Sequence, residues 1–241
     1  IRRQDRPTDR PRWEEFSLPY RPNMNVVVCL MEIRKHPVTR QGQRTTPVTW
    51  DCSCLEEVCG ACTMLVNGRP RQSCSTLVDR LPAGTITLEP LTKFPVVRDL
   101  AVDRSPMFEA LKQVKAWIPI DGTYDLGPGP RIPEAEREQA YHFSQCMTCG
   151  CCMEACPQYN DRSDFLGPAP IAQVRLFNAH PTGRMNAHER LDAIMGRGGL
   201  SECGNAQNCL EVCPKQIPLT EAFGALGRQT ALRWFGKLLD R

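Results

Sequence analysis

Long apolar runs are missing from this sequence of 241 residues. The longest, such as residues 26–31, fall far short of the roughly 18 consecutive apolar residues that a membrane-spanning helix needs. Residues 1–12 are polar and rich in arginine with no apolar segment behind them, so we expect no secretory signal peptide and a cytoplasmic protein. If the protein acts at a membrane, another subunit must therefore anchor it.

A strong net charge is missing too, because 30 basic residues are nearly balanced by 27 acidic ones, which leaves +3. The two signs are interspersed along the chain, so we expect no binding of nucleic acid. The four histidines do not stand at a metal-ligand spacing. The sequence shows no recognisable nucleophile paired with a base, no catalytic pair of carboxylates and no phosphate-binding loop. We therefore assign no catalytic residue.

Cysteine, in contrast, is abundant, with fourteen residues. Most of them stand in tight groups with Cys-x2-Cys spacing, whose members are too close together for a disulfide framework. This pattern is typical of thiolates that bind metal in a reducing compartment.

The first cysteine group has the spacing Cys-x4-Cys-x2-Cys, with a fourth cysteine beyond a predicted Asn67-Gly68 hairpin turn. In plant-type 2Fe-2S ferredoxins this spacing presents three thiolates from one loop and the fourth from elsewhere. The small residues Gly60 and Ala61 would let backbone N–H groups approach the sulfurs. A zinc knuckle, which uses the same donors, is the alternative. The predicted 2Fe-2S ligands are Cys54, Cys59, Cys62 and Cys74.

Two further groups form a bacterial ferredoxin pair in which one ligand is missing. The run that ends at Pro157 reads Cys-x2-Cys-x2-Cys-x3-Cys-Pro. The run that ends at Pro214 has the same pattern, except that Ala206 replaces the second cysteine. In two-cluster proteins the fourth cysteine of each run ligates the other cluster. The predicted 4Fe-4S ligands are therefore Cys146, Cys149, Cys152 and Cys213.

The remaining site keeps Cys156, Cys203 and Cys209, because Ala206 has no ligating atom. Three thiolates are enough for a 3Fe-4S cluster. A 4Fe-4S cluster with water on its fourth iron is the alternative.

Three cysteines stand outside these ligand sets. Cys29 lies on the apolar face of a predicted helix, where a thiol acts as a small hydrophobe. Cys151 stands between two predicted ligands and is interpreted in the same way. Cys52 is expected to pack, with a role as an alternate ligand of the first cluster as the other possibility.

The pattern of apolar residues predicts a mixed N-terminal half and a helical C-terminal half. Strands are predicted at residues 15–20, 48–50, 62–66 and 85–88, and helices at residues 26–36, 105–118, 133–143, 170–178, 186–195 and 219–239. Residues 118–133 are rich in glycine and proline and are predicted to form a connection. The predicted domains are residues 1–103 and residues 104–241.

The order of the cysteine groups, with Ala206 at the missing ligand, resembles the iron–sulfur subunits of succinate dehydrogenases and fumarate reductases. The resemblance covers nearly the whole chain and extends to residues 21–24, 55–62, 95–100 and 164–168. It implies an α+β protein with an N-terminal β-grasp 2Fe-2S ferredoxin domain and a C-terminal helical ferredoxin domain. It also implies a flavoprotein partner that carries FAD, and a quinone-binding membrane anchor that would hold this chain at the cytoplasmic face of the cell membrane.

The resemblance extends to the choice of quinone. Members that reduce ubiquinone carry a tryptophan shortly after the Cys-Pro of the ferredoxin run and a histidine after the first cysteine of the last group. Here no tryptophan follows Pro157 closely, and Gly204 follows Cys203. Residues 178–183 and 202–209 resemble instead the menaquinone-linked type, whose anchor is a cytochrome b with two b haems.

Two alternatives stay open on the sequence. The chain could transfer electrons for another flavoprotein oxidoreductase, of the glycolate or glycerol-3-phosphate type, although those tend to lack the 2Fe-2S domain. It could also be a zinc-binding structural scaffold without redox function.

Overall fold

The computed structural model describes residues 1–119 and 131–239. The chain divides into two compact units: unit 1 comprises Ile1–Arg104 with Met147–Ala155, and unit 2 comprises Ser105–Cys146 with Cys156–Arg241. Every strand within the described ranges lies in unit 1, whereas unit 2 is built from helices. The predicted boundary between residues 103 and 104 concerns folding domains and stays a prediction.

The first helix of unit 1, α1 (Val26–Lys35), begins at Asn25. The Asn25 side chain accepts a hydrogen bond from the Val28 N–H at 2.9 Å, which caps the helix start. The same side chain donates to the carbonyl of Cys74 at 2.9 Å. Residues at helical spacing on α1 are buried in the core of this unit. One asparagine thus ties the start of the packed helix to a predicted ligand.

A three-stranded antiparallel sheet packs against α1, with β3 (Thr63–Val66) between β4 (Arg69–Gln72) and β5 (Leu88–Glu89). Asn67 and Gly68 join β3 to β4 with φ angles of 50° and 72°, as a two-residue hairpin turn requires. The predicted hairpin is therefore confirmed.

Two predicted strands are wrong, since neither residues 15–20 nor residues 48–50 form a strand. The N–H of Thr49 donates to the Asp99 carboxylate at 2.9 Å, and its carbonyl accepts from the Leu100 N–H at 3.1 Å. In residues 15–20, Pro19 has no N–H to donate. Both segments therefore make isolated hydrogen bonds instead of a continuous ladder.

Two short sheets complete unit 1. The strands β1 (Arg2–Arg3) and β2 (Arg12–Trp13) pair antiparallel, as do β6 (Val96–Arg98) and β7 (Ala101–Val102). Arg3 is fully buried and donates to Asp99 at 2.9 Å and to Glu14 at 2.6 Å. A buried guanidinium is tolerated here because carboxylates and a carbonyl satisfy its donors.

Among the described residues, unit 2 contains six α-helices: α2 (Ser105–Gln113), α3 (Glu134–Ser144), α5 (Pro168–Ala179), α6 (Ala187–Met195), α7 (Asn208–Glu211) and α8 (Leu219–Leu239). The short helix α4 (Cys151–Ala155) belongs to unit 1. The predicted C-terminal helix matches α8, but α2 ends before residue 118, since Lys115 has a left-handed φ of 54°. The predicted connection at residues 118–133 lies mostly outside the described residues.

The core of unit 2 combines apolar side chains from α5, α6 and α8 with Val114, Cys156 and Phe165. Arg190 of α6 is buried and donates to the side chain of Asn178 at 2.8 Å and to the carbonyl of Trp117 at 3.0 Å. Within the described part of the chain, no helix has both the length and the apolar character to cross a membrane.

Candidate metal-cluster sites

The loop around Cys54 is folded so that backbone N–H groups converge on one sulfur. The N–H groups of Glu56, Val58 and Cys59 lie 3.4, 3.3 and 3.3 Å from Cys54 Sγ. Left-handed φ angles at Leu55 and within the next residues make this tight winding possible. The three donors lower the pKa of Cys54 to about 7, because they stabilise its thiolate. Such a sulfur is prepared to serve as an anionic ligand.

The other two cysteines of the first group stand side by side at the end of the β3–β4 hairpin. Cys62 directly precedes β3. The Ser73 N–H donates to the Cys62 carbonyl at 3.2 Å, which extends the hydrogen bonding between β3 and β4 by one pair of residues. Cys74 follows Ser73, and both thiols are buried against Val27. Burial, together with the adjacent Cys74, raises the pKa of Cys62 to about 12.

Unit 1 therefore places Cys59, whose N–H bonds to Cys54 Sγ, beside Cys54, and buries Cys62 together with Cys74. The N–H of Ala61 adds a fourth hydrogen bond to sulfur, at 3.4 Å from Cys59 Sγ. An iron–sulfur cluster in this place would find N–H donors already directed at its ligands, as the sulfurs of such clusters require.

The short helix α4 carries one predicted ligand of the second group, Cys152, and the turn before it carries another, Cys149. Cys149 and Cys152 are buried in unit 1, and left-handed φ angles at Thr148 (52°) and Gly150 (87°) shape the turn that holds them. Glu154 anchors α4, because its carboxylate accepts hydrogen bonds from Thr92 and Lys93 at 2.6–3.1 Å.

The pKa of Cys149 is lowered to about 7, mainly because its sulfur accepts a hydrogen bond from Cys151. The positive charge of Arg104 lowers this pKa further. Cys151 is fully buried, and Gln72 Nε2 donates to its sulfur at 3.7 Å. The interpretation of Cys151 as a buried small side chain is confirmed.

The other two cysteines outside the ligand sets differ in exposure. Cys29 is half-buried, whereas Cys52 is exposed, so the packing predicted for Cys52 is wrong.

The remaining members of the second group, Cys146 and Cys213, lie in unit 2. The N–H of Cys146 donates to the Phe143 carbonyl at the end of α3, at 3.3 Å. Cys213 Sγ accepts a hydrogen bond from the Ile217 N–H at 3.5 Å. The membership of these two residues in the 4Fe-4S ligand set stays a prediction.

The three predicted ligands of the last cluster, Cys156, Cys203 and Cys209, line a single pocket in unit 2. Ala206 lies on the wall of the same pocket. Burial raises the pKa of Cys209 to about 11, and the neighbouring sulfurs of Cys156 and Cys203 add to this effect. The sulfurs are thus close enough to act on one another, and no thiol stands at position 206.

Within the described ranges, no three His, Cys, Asp or Glu side chains form a group that could hold a single metal ion. In an iron–sulfur cluster, bridging sulfides separate the thiolates, so its protein ligands do not converge on one point.

Sequence reasoning missed the groups that surround the ligands. Arg104 donates to the carbonyl of Gly60 at 2.7 Å and also to that of Ala61. Gln72, which is buried, lies beside Cys62 and Cys151. Neither residue belongs to a cysteine motif, and nothing in the local sequence distinguishes them.

Two family models match this chain. One is described as a 2Fe-2S iron-sulfur cluster binding domain and matches residues 1–109. The other is described as a 4Fe-4S dicluster domain and matches residues 142–217. Together they include all eleven predicted ligands.

The chain is also similar to named relatives over nearly its whole length. It is 63% identical to the succinate dehydrogenase iron-sulfur subunit of Bacillus subtilis (strain 168), over 98% of this chain and 92% of the relative. It is 30% identical to the fumarate reductase iron-sulfur subunit of Wolinella succinogenes, over 91% and 90%. A chain of the Mycobacterium smegmatis Sdh1 complex in the apo form matches with a TM-score of 0.78 at 25% identity, over 98% and 95%.

Proposed function

The chain belongs to the family of iron–sulfur subunits of succinate dehydrogenases and fumarate reductases, and from this premise we propose how its cysteines divide among three clusters. As such a subunit it transfers electrons within an oxidoreductase, beside a flavoprotein partner and a membrane anchor to which it is peripheral. The predicted α+β fold with a 2Fe-2S domain followed by a helical ferredoxin domain is confirmed. Membership in this family decides against both the glycolate or glycerol-3-phosphate alternative and the zinc scaffold.

We assign the first cluster to the two cysteine pairs of unit 1. Cys54 and Cys59 would hold one iron, and Cys62 and Cys74 the other, because each pair is adjacent. The observation that carries this assignment is the convergence of three N–H groups on Cys54 Sγ. Donors of this kind stabilise the negative charge of a ligand sulfur and do not favour a neutral thiol.

We assign the 4Fe-4S cluster to Cys146, Cys149, Cys152 and Cys213 through the ferredoxin spacing. The third cluster falls to Cys156, Cys203 and Cys209, and we propose that it is 3Fe-4S, since Ala206 offers no ligand. The pocket that these three cysteines line supports this assignment. Water on a fourth iron is the competing arrangement.

When bound, the three clusters supply one-electron carriers between the flavin of the partner and the quinone at the anchor. The chain's own residues hold the sulfurs in place, exclude water by burial and direct N–H groups at the ligands. Each of these contributions changes the affinity of a site for an electron.

For the finer properties of the complex, we propose menaquinone as the acceptor, a dihaem cytochrome b as the anchor and the cytoplasmic face of the membrane as the location. Support comes from the sequence, because no tryptophan follows Pro157 closely and Gly204 stands where ubiquinone-linked members carry a histidine; in the structure the side chain of Gln158 lies beside Gly204. A side chain at position 204 would meet only the flexible end of Gln158, so the support lies in the absence of the histidine from the sequence and not in a lack of space.

The complex that contains this chain should oxidise succinate and reduce a naphthoquinone faster than a ubiquinone analogue. The measurement is steady-state turnover with both quinones, each normalised to turnover with an artificial dye that accepts electrons before the quinone. Because the dye reports the flavin site alone, the ratio isolates the last transfer. Equal or faster turnover with the ubiquinone analogue would contradict the menaquinone proposal. Absence of succinate oxidation with every acceptor would contradict the function itself.

A further inference from the structure

The guanidinium of Arg104 binds two successive carbonyl groups in the turn between Cys59 and Cys62. Nη1 donates to the Gly60 oxygen at 2.7 Å, and Nη2 donates to the Ala61 oxygen. Arg104 is half-buried, so these bonds are partly shielded from water. A planar guanidinium with several fixed donors suits such a double contact, which a lysine ammonium would not reproduce.

The carbonyl of Gly60 shares a planar trans peptide group with the N–H of Ala61, so the two point in opposite directions. That N–H donates to Cys59 Sγ at 3.4 Å. Arg104 therefore fixes one side of the peptide group while a predicted ligand sulfur receives the other side. Polarisation of the carbonyl by a positive charge also strengthens the N–H as a donor.

The same turn is also fixed by close packing. Gly60 has a φ of 70°, and a Cβ on it would lie 2.8 Å from Cys149 Cα and 2.9 Å from the Met147 carbonyl oxygen. The turn thus touches the backbone that carries Cys149, a predicted ligand of the second cluster. Because Arg104 binds its carbonyls and this backbone packs against it, the turn has little freedom to move.

We propose that Arg104 is a positioning residue for the first cluster, which holds the turn between Cys59 and Cys62 so that the Ala61 N–H faces Cys59 Sγ and the Gly60 backbone stays against Cys149. The inference rests on the assignment of Cys59 as a 2Fe-2S ligand. A positive charge and an oriented donor both favour the reduced, more negative cluster. Removal of Arg104 should therefore lower the midpoint potential of the 2Fe-2S cluster.

The test is a redox titration of the intact complex, followed by electron paramagnetic resonance, with Arg104→Gln and the control Arg6→Gln. Both variants lose one positive charge in unit 1, and Arg6 is exposed. In Arg104→Gln the 2Fe-2S midpoint should shift downward and its g values should change, while the midpoint of the third cluster stays unchanged. The control should leave all three midpoints at their wild-type values.

Arg104→Lys keeps the charge but cannot bind both carbonyls, so we expect a smaller downward shift with altered g values. This variant also covers the case in which Arg104→Gln fails to assemble. The role of Arg104 would be overturned if the variant that assembles keeps the wild-type midpoint and g values of the 2Fe-2S cluster. It would also be overturned if the midpoints of all three clusters shift equally. Absence of a 2Fe-2S signal from the wild-type complex would instead overturn the assignment of Cys59, and it is detected before any variant is compared.

Discussion

Substitution of Ala206 by cysteine should convert the third cluster from three irons to four. Ala206 lies on the wall of the pocket lined by Cys156, Cys203 and Cys209, so the new thiolate would complete a set of four ligands. The added negative charge disfavours reduction, and the midpoint potential should fall. A fall of about 120 mV would lower the equilibrium constant for reduction about 100-fold, since about 59 mV corresponds to tenfold for one electron. Quinone reduction should slow accordingly, while succinate oxidation by artificial dyes persists.

Electron paramagnetic resonance distinguishes the two forms of the third cluster. The Ala206→Cys variant should lose the signal of an oxidised 3Fe-4S centre and gain that of a second reduced 4Fe-4S centre. The control is Ala206→Val, which adds bulk at the same position without a ligating atom and should keep the 3Fe-4S signal. If that signal persists unchanged in a correctly folded, fully metallated Ala206→Cys variant, the assignment of the third ligand set is wrong.

Gly60→Ala should abolish most of the 2Fe-2S signal and destabilise unit 1. The new methyl group would meet backbone atoms of Cys149 and Met147 at 2.8–2.9 Å, and backbone cannot move aside as the end of a flexible side chain can. The chain must then separate the turn from the Cys149 segment, which displaces the neighbouring ligand sulfurs. Thermal unfolding of the complex and the integrated 2Fe-2S signal measure the two effects.

Gly68 provides a matched control, since its φ of 72° is nearly the same and a Cβ on it would meet no atom within 4 Å. Gly68→Ala should cost only the roughly 1–2 kcal/mol of a left-handed residue with a side chain, and the 2Fe-2S cluster should stay intact. Equal stability and equal 2Fe-2S signals in the two variants would show that close packing at Gly60 is unimportant.

Local signals in the sequence predicted those parts of the fold that depend on local physics. The Asn67-Gly68 turn is such a case, because two residues determine the backbone conformation that joins β3 to β4. The helix α8 is another, since its long amphipathic pattern has the same bounds in the structure. The strand predicted at residues 48–50 is wrong because the carboxylate of Asp99, distant in sequence, accepts the hydrogen bond from the Thr49 N–H that a neighbouring strand would otherwise accept.

For the candidate sites, too, the sequence predicted the local features and missed the contacts between residues that are distant in sequence. Cysteine spacing is a local property and predicted three groups of thiols, of which the first and third gather within single units. The surroundings of the thiols depend on contacts that are distant in sequence. Arg104 reaches the carbonyl of Gly60 across 44 positions, and no pattern near either residue indicates that contact.

The central claim is that this chain holds three different iron–sulfur clusters. Quantitative analysis of iron, inorganic sulfide and zinc in the purified complex is its most direct test. Haem iron is determined optically and subtracted. The account predicts about nine iron atoms and about ten sulfides per copy of this chain, with negligible zinc. About ten irons would contradict the three-iron third cluster, and about six irons or fewer, or stoichiometric zinc, would contradict the three-cluster assignment.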